Sequence, residues 1–241
     1  MKSGDKVTIG IVNDGKIDSL LCLDLLHLLK MPNSKFEHLV QVGNKGLTTR
    51  SRNIVCKTYL ETTKCEWLLL VDSDQRLPME SFIKLTDAAH DKERPVMSGL
   101  VFAAFFDGQD ALRAVPTLYH DDPELGLQPI DDYPEDSVIE VDATGTGCLL
   151  IHRSVIENLR DKATVNQGKD WAWFFEGAIS GTYFGEDLLF SKRLKSLGYK
   201  IHAHTGAILP HHKDFWLNQE HHAPIRKMVL EKKNQKQEDH L

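Results

Sequence analysis

The sequence predicts an α/β fold with a mainly parallel central sheet and helices on both faces. In the first half of the chain, short apolar runs alternate with longer helical patterns, as strand–helix–strand units do. The most apolar of these runs, residues 67–71, ends abruptly in the acidic turn Asp72-Ser73-Asp74. The 241 residues are 41% hydrophobic and 27% charged, which excludes disorder, collagen-like sequence and a coiled coil as the main architecture.

The elements of the first half are predicted from apolar runs and the residues that break them. Residues 7–12 form a buried strand, which Asn13-Asp14-Gly15 ends, and residues 17–29 carry leucines at helical spacing up to a stop at Pro32. The elements that follow are a strand at 38–42 ending at Gly43, a helix at about 48–62, the strand at 67–71, a helix at about 79–90 and a strand at about 96–102.

The second half has an irregular part and a regular part. Four prolines and little periodicity predict a long, irregular and functional excursion over residues 107–136. Strands follow at 138–141 and 148–151, and a helix at 186–197 is closed by Gly198, the residue type favoured just beyond a helix. The aromatic segment 171–175 is either core or, with 107–136, a mobile cover over the binding cleft.

Charge, cysteine content and the length of the apolar runs argue against several classes of protein. A net charge of −6 argues against a generic nucleic-acid binder. The four cysteines show no C-x-x-C spacing, so we expect neither disulfides nor a cysteine zinc site. The longest apolar run, residues 100–106, is far shorter than the ~20 residues that span a bilayer, and the first residues do not resemble a signal peptide. We therefore expect a cytoplasmic protein with no membrane partner.

The acidic turn is the strongest local signal of chemistry. Asp72 and Asp74 follow a buried strand, and ligands of open α/β sheets bind outside the carboxyl ends of strands. Two like charges so close to apolar sequence call for a compensating cation or donor. A hard divalent ion with oxygen ligands fits, because such ions bridge carboxylates to phosphates. A polar turn that caps the following helix is the alternative.

A second signal lies downstream. Gly185-Glu186-Asp187 begins the helix at 186–197, and His211-His212 follows the next strand. Carboxylates in a first helical turn complement the helix dipole by ~0.3–1 kcal/mol, which explains one of them structurally. The dipole does not explain the order of the acidic turn, the acidic helix start and the histidine.

These features together resemble the GT-A-fold glycosyltransferases, in particular the family-2-like and polypeptide-sugar-transferase-like enzymes. The resemblance covers residues 7 to about 212. It is carried by Asn13-Asp14, Arg52-Asn53, Leu69-Leu70-Val71-Asp72-Ser73-Asp74, Gly145-Thr146-Gly147-Cys148-Leu149-Leu150-Ile151, and Gly185-Glu186-Asp187 through Gly198-Tyr199-Lys200-Ile201 to His211. One departure is the turn Gly43-Asn44-Lys45-Gly46, which lacks the acidic residue that often contacts the base.

The resemblance implies a GT-A (Rossmann-like) fold with a D-x-D metal turn and a single domain at 1–215. Its halves would be nucleotide-binding (1–100) and acceptor-binding (101–215), followed by a partly frayed helical tail at 216–241. Asp74 and His211 would ligate Mn²⁺ or Mg²⁺ on the donor diphosphate, with Asp72 near the ribose or the metal. His202 and His204 alternate along one strand, of which only one face can look toward the cleft. Neither is assigned a role, and His204 is the better substitute ligand.

The resemblance also implies roles around the two substrates. Asn13, Asp14, Arg52 and Ser73 would lie near the nucleotide, and the turn Gly145-Thr146-Gly147 would pass beneath the donor sugar. Asp187, with Glu186 beside it, would be the general base. Trp173 is predicted as an exposed platform for the acceptor.

The implied reaction moves a sugar from a nucleoside-diphosphate sugar, taken as a UDP-sugar, to a hydroxyl on a protein, a glycan or a modified DNA base. A sugar-phosphate nucleotidyltransferase is the enzymatic alternative, although Asn13-Asp14-Gly15-Lys16 is a poor match to its glycine-rich loop. A non-catalytic nucleotide-sugar or carbohydrate-binding module is the other alternative. The missing third glycine after Gly147 excludes a dinucleotide fingerprint, and no P-loop motif is present.

Overall fold

The computed structural model describes residues 1–43, 48–106, 112–162, 172–179 and 181–213. The predicted tail at 216–241 and Asn44, Lys45, Gly46 and Trp171 lie outside the described residues. The helices are α1 Ser19–Lys30, α2 Thr48–Thr62, α3 Met79–Ala88, α4 Arg153–Lys162 and α5 Glu186–Ser196. The strands are β1 Val7–Asn13, β2 Phe36–Gly43, β3 Trp67–Asp72, β4 Val96–Phe106, β5 Leu112–Pro116, β6 Leu118–Asp122, β7 Gly126–Pro129, β8 Val138–Val141, β9 Ala143–Thr144, β10 Cys148–His152, β11 Gly177–Ile179, β12 Thr182–Phe184 and β13 Ile201–Leu209.

The large sheet has the order β2-β1-β3-β10-β4-β13-β8, and β5 pairs with the far part of β4. Strands β2, β1, β3, β4 and β13 run in one direction, whereas β10 and β8 run in the opposite one. This arrangement confirms the predicted mixed α/β class with a mostly parallel sheet. It also places the start of β10 at the same edge as the end of β3.

The two faces of the sheet bury separate cores. Along β3, Leu68 and Leu70 pack with residues of α2, α4 and α5, whereas Trp67, Leu69 and Val71 pack with residues of α1 and α3. Because successive strand residues point to opposite faces, this one run of apolar residues supplies both cores. Helices cover both faces, as predicted.

Two stretches differ from the expected pattern. Residues 107–111 of the predicted excursion lie outside the described residues. Residues 112–136 are more regular than predicted: β5 extends the large sheet, and β6 pairs with β7 and β9 in a small sheet. The prolines are compatible with pairing because Pro129 lies on β7, an edge strand. Helix α4 was not predicted, although Val155, Ile156 and Leu159 form its buried face. The proposed cover at 171–183 contains the β11–β12 hairpin.

Within the described residues, no helix is both long and apolar enough to cross a membrane.

Candidate functional site

Several of the predicted site residues lie at the carboxyl edge of the sheet. Asn13 ends β1, Asp72 ends β3, and the backbone N–H of Asp72 donates to the carbonyl of Gly147, just before β10. His211 follows β13 and forms an isolated bridge with Gln75, just after the acidic turn. Residues distant in sequence therefore meet at one edge because five parallel strands end there and an antiparallel one begins.

Arg52 joins two of the predicted carboxylates. Its Nη2 donates to both oxygens of Asp72 at 2.9 and 3.2 Å, and its Nη1 donates to Glu186 Oε1. The side chain of Arg52 is only 6% exposed. Burial disfavours its charge, but the two carboxylates outweigh that cost and raise the pKa of Arg52. Arg52 thus ties the start of α2 to the end of β3 and the start of α5.

Asp74 has different partners. His211 Nε2 lies 3.0 Å from Asp74 Oδ2, and Lys213 Nζ donates to the same oxygen at 2.8 Å. Burial opposes ionisation of Asp74, but the hydrogen bonds from His211 and Lys213 hold its pKa well below its usual range. The bond to Asp74 raises the pKa of His211. His211 Nδ1 lies 2.7 Å from the carbonyl of Phe102, which fixes the ring.

The atoms of Asp74 and His211 have the spacing that the predicted metal site requires. An O···N separation of 3.0 Å between Asp74 and His211 matches that of adjacent octahedral ligands with bonds of about 2.1 Å. Asp72 does not join them: among the described residues, the group of three candidate ligands within 4.8 Å of one another is Glu37, His38 and Cys65. Asp74 and His211 therefore fit a divalent ion as a pair, on condition that Lys213 moves away from the carboxylate.

His204, the substitute ligand, lies elsewhere. It belongs to β13, just before the break in the pairing register of β13 with β4 between His204 and Ile208. Its Nδ1 accepts a hydrogen bond from the backbone N–H of Gly206. His211 is the histidine that reaches Asp74.

A cleft of about 380 Å³ opens beside Asp74. It is lined by Asp14, Lys16, Ile17, Asp18, Ser73, Asp74, His212 and Lys213. Its wall is fixed by two contacts: the N–H of Asp18 donates to the carbonyl of Ser73 at 2.9 Å, and His212 Nδ1 lies 2.7 Å from Asp18 Oδ2. Two lysines and a histidine in this wall can interact with anionic groups. Lys16, Asp18, His212 and Lys213 were not predicted as site residues, because only the fold brings them together.

Buried polar groups near this edge lack partners. Asn13 is 5% exposed, and its Nδ2 has no hydrogen-bond partner among the described residues, while its Oδ1 accepts the N–H of Gly15. The hydroxyl of Thr146 is also buried and without a partner in that part of the chain. Because an unmet buried donor costs ~1–3 kcal/mol, such groups indicate a position where a ligand or water completes the bonding.

The turn Gly145-Thr146-Gly147 is closely packed. A Cβ at Gly147 would lie 2.2 Å from Gln75 Nε2 and 3.3 Å from Asp72 Oδ2. Gln75 is only 1% exposed, so its amide has little room to move. Gly147 is therefore needed for the close approach of β10 to the acidic turn.

Asp187 lies at the first turn of α5, next to the Arg52–Glu186 pair. Burial, and to a smaller extent the Glu186 carboxylate, raise its pKa above the usual 3.8. Its Oδ1 accepts the N–H of Leu188 at 2.7 Å, and it has no ion pair within the described residues. A partly buried carboxylate with a raised pKa suits proton transfer.

The prediction of an exposed platform at Trp173 was wrong. Trp173 is 2% exposed, and its indole N–H donates to the carbonyl of Ile156 in α4 at 2.8 Å. Its neighbour Phe174 is held at both backbone groups by the amide of Asn53, at 2.9 and 2.7 Å. This part of the aromatic segment is core that supports α2 and α5.

Comparisons with known proteins establish the fold. No protein-family model and no curated protein sequence matches the chain. The solved structure of A197 from STIV is 19% identical, with a TM-score of 0.54 over 87% of this chain and 86% of that one. GalNAc-T7, crystallised with UDP, GalNAc and Mn²⁺, is 11% identical and has a TM-score of 0.48 over 87% of this chain and 43% of its own. A score below 0.5 is too low for a structural conclusion, and the likeness to A197 shows a shared fold alone.

Proposed function

We propose that this protein is a GT-A-type glycosyltransferase that uses Mn²⁺ or Mg²⁺ to move a sugar from a nucleoside-diphosphate sugar, a UDP-sugar, to an acceptor hydroxyl. The acceptor is on a protein, a glycan or a modified nucleobase. The observation that carries the proposal is the contact of Asp74 with His211, 137 residues apart in the chain and 3.0 Å apart in space, at the ligand-binding edge of the sheet.

The cleft beside this pair suits a nucleoside diphosphate. Lys16 and Lys213 line the cleft and offer ammonium groups to phosphate oxygens. Asn13 ends β1 next to Asp14 of the cleft wall, and its buried Nδ2 has no partner among the described residues. Asp14 and Ser73 line the same wall, and Gly145-Thr146-Gly147 closes the sheet edge beside Asp72. In this proposal Asp74 and His211 hold the ion, which when bound stabilises negative charge on the departing diphosphate.

The chain's own residues divide the remaining work. Arg52 binds Asp72 and Glu186, so it fixes the strand end that carries the donor site against the helix that carries Asp187. Asp187 takes the proton from the acceptor hydroxyl as the hydroxyl oxygen bonds to the anomeric carbon. The bond between that carbon and the diphosphate oxygen breaks, and the nucleoside diphosphate leaves with the electron pair. Glu186 is ion-paired with Arg52, which makes it a poorer proton acceptor than Asp187. Its role in this proposal is to hold the start of α5, and with it Asp187, in position.

Calorimetry with UDP in the presence and absence of Mn²⁺ tests the proposal. The wild-type protein should bind UDP far more tightly with Mn²⁺, and Asp74→Asn should remove the gain. Asp161→Asn is a matched control, because Asp161 is a 62% exposed aspartate of α4 that pairs with the surface residue Arg160. An unchanged metal-dependent affinity in Asp74→Asn would overturn the assignment.

A donor-hydrolysis assay separates an enzyme from a binding module. Wild-type protein with Mn²⁺ should release UDP slowly from a UDP-sugar, and Asp74→Asn should not. Tight metal-dependent UDP binding with no release from any UDP-sugar would favour the binding module, and release of pyrophosphate from a sugar phosphate and UTP would favour the nucleotidyltransferase.

A further inference from the structure

The opposite edge of the sheet carries a second group of potential metal ligands. One ligand atom from each of Glu37, His38 and Cys65 lies within 4.8 Å of the other two. His38 Nε2 is 3.3 Å from Glu37 Oε1, and Cys65 Sγ is 4.0 Å from the same oxygen. Cys65 precedes β3 at its amino end, so this cluster is separate from the Asp74 edge.

A local irregularity of β2 brings two of these ligands together. Val7 of β1 lies opposite Phe36, and Thr8 lies opposite His38, so Glu37 is an extra residue, as in a β-bulge. Neighbours in a regular strand point to opposite faces, whereas a bulge redirects a side chain. Glu37 and His38 therefore reach the same side although they are adjacent in sequence.

Cys65 is held firmly in place. The Tyr59 hydroxyl donates to the carbonyl of Cys65 at 2.8 Å, and Arg153 Nε donates to it at 3.0 Å. Cys65 is 1% exposed, while the side chains of Glu37 and His38 are 45% and 47% exposed. These contacts hold the backbone of Cys65, whose buried side chain lies at the base of the cluster. The two exposed ligands can close over an ion that enters from solvent.

We propose that Glu37, His38 and Cys65 form a binding site for Zn²⁺ or a similar divalent transition-metal ion. Tetrahedral Zn²⁺ with bonds of about 2.0–2.3 Å places its ligand atoms about 3.3–3.8 Å apart. The N···O separation already has this value, and the S···O separation of 4.0 Å exceeds it by a few tenths of an ångström. Thiolate and imidazole select Zn²⁺ over Mg²⁺ or Mn²⁺, and three protein ligands leave a fourth position for water.

Binding changes the protonation of one ligand. The Cys65 thiol loses its proton to the buffer as its sulfur bonds to the metal, and His38 binds as a neutral imidazole. Metal affinity should therefore fall as the pH is lowered. The expectation that the cysteines form no zinc site relied on C-x-x-C spacing, and here the sulfur belongs to a different chain segment from the other ligands.

Co²⁺ titration followed by absorption spectroscopy tests the site. Co²⁺ should produce a sulfur-to-metal charge-transfer band at one equivalent, and Zn²⁺ should abolish it. Cys65→Ser should remove the band, and His38→Gln should weaken Co²⁺ affinity by more than about tenfold, because even outer-shell partners are worth about 10–100-fold. Circular dichroism confirms that each variant is folded.

Two matched variants make the result specific. Cys22→Ser removes the exposed free cysteine and should leave the band intact. Asp74→Asn should also leave it intact, because the Asp74–His211 pair contains no sulfur. A band that is absent in the wild-type protein, that survives in Cys65→Ser, or that is lost in Cys22→Ser would overturn the proposal.

Discussion

Replacing Arg52 by methionine tests how the acidic groups of the site are held. Methionine keeps an unbranched side chain of similar length but removes the guanidinium that binds Asp72 and Glu186. The variant leaves two carboxylates near each other without their shared cation. We expect both lower stability and a displaced start of α5.

The loss of stability expected in Arg52→Met follows from the burial of the ion pairs. Breaking a buried ion pair costs about 3–5 kcal/mol, since the remaining charge is left unpaired. The Asp72 and Glu186 side chains are 31% and 18% exposed, so water can solvate the unpaired carboxylates in part. The lower value of about 3 kcal/mol therefore applies. For a chain of about this size, that loss lowers the melting temperature by about 6–12 °C.

Urea unfolding measures this loss, with Lys57→Met as the control on the same helix. Lys57 pairs with Glu61 in an exposed i,i+4 pair, which is worth about 0.3–0.5 kcal/mol. The double variant Arg52→Met/Asp72→Asn should be more stable than the two single effects predict by addition, because one unpaired charge is gone. A midpoint shift in Arg52→Met no larger than in Lys57→Met would refute the reasoning.

Three further outcomes are expected. Asp187→Asn should keep UDP affinity while transfer falls by roughly 10²–10⁴, and because burial raises the pKa of Asp187, wild-type kcat/KM should fall on acidification at a pH above the usual carboxylate range. Lys213→Met should tighten Mn²⁺ binding without nucleotide in calorimetry, since the ammonium no longer competes for Asp74; unchanged affinity would contradict this. Gly147→Ala should cost about 1–3 kcal/mol in urea unfolding because its Cβ meets Gln75, and Gln75→Ala should restore part of that loss.

The fold was largely predictable because each strand of the first half is a short apolar run with a clear break. The errors in the second half are connected. Helix α4 was not predicted, although Val155, Ile156 and Leu159 have helical spacing. Trp173 donates its indole N–H to the carbonyl of Ile156 in that helix. Without α4 nothing indicated what buries Trp173, so an exposed platform was expected. Burial of a single aromatic residue depends on tertiary packing that its own segment does not contain.

The partners of the site residues were not predictable in the same way. Spacing indicated that Asp72 and Asp74 would share an environment, and the structure separates them. Asp72 ends β3 on the side of Leu68 and Leu70, where α2 supplies Arg52, whereas Asp74 lies beyond the strand and meets His211. These contacts join residues 20 and 137 positions apart, which local patterns do not encode.

This separation bears on how the acidic turn works. Two carboxylates at this spacing repel each other when they share one low-dielectric site. In this fold Asp72 pairs with the buried guanidinium of Arg52, and Asp74 pairs with Lys213 and His211. Both carboxylates therefore have charge partners from the chain, and neither requires a metal for the fold to form. In the proposed site, a divalent ion at Asp74 would therefore replace Lys213 instead of filling an unmet need. Lys213 and Lys16 line the same cleft, so the displaced ammonium would stay within reach of the phosphates of the proposed donor.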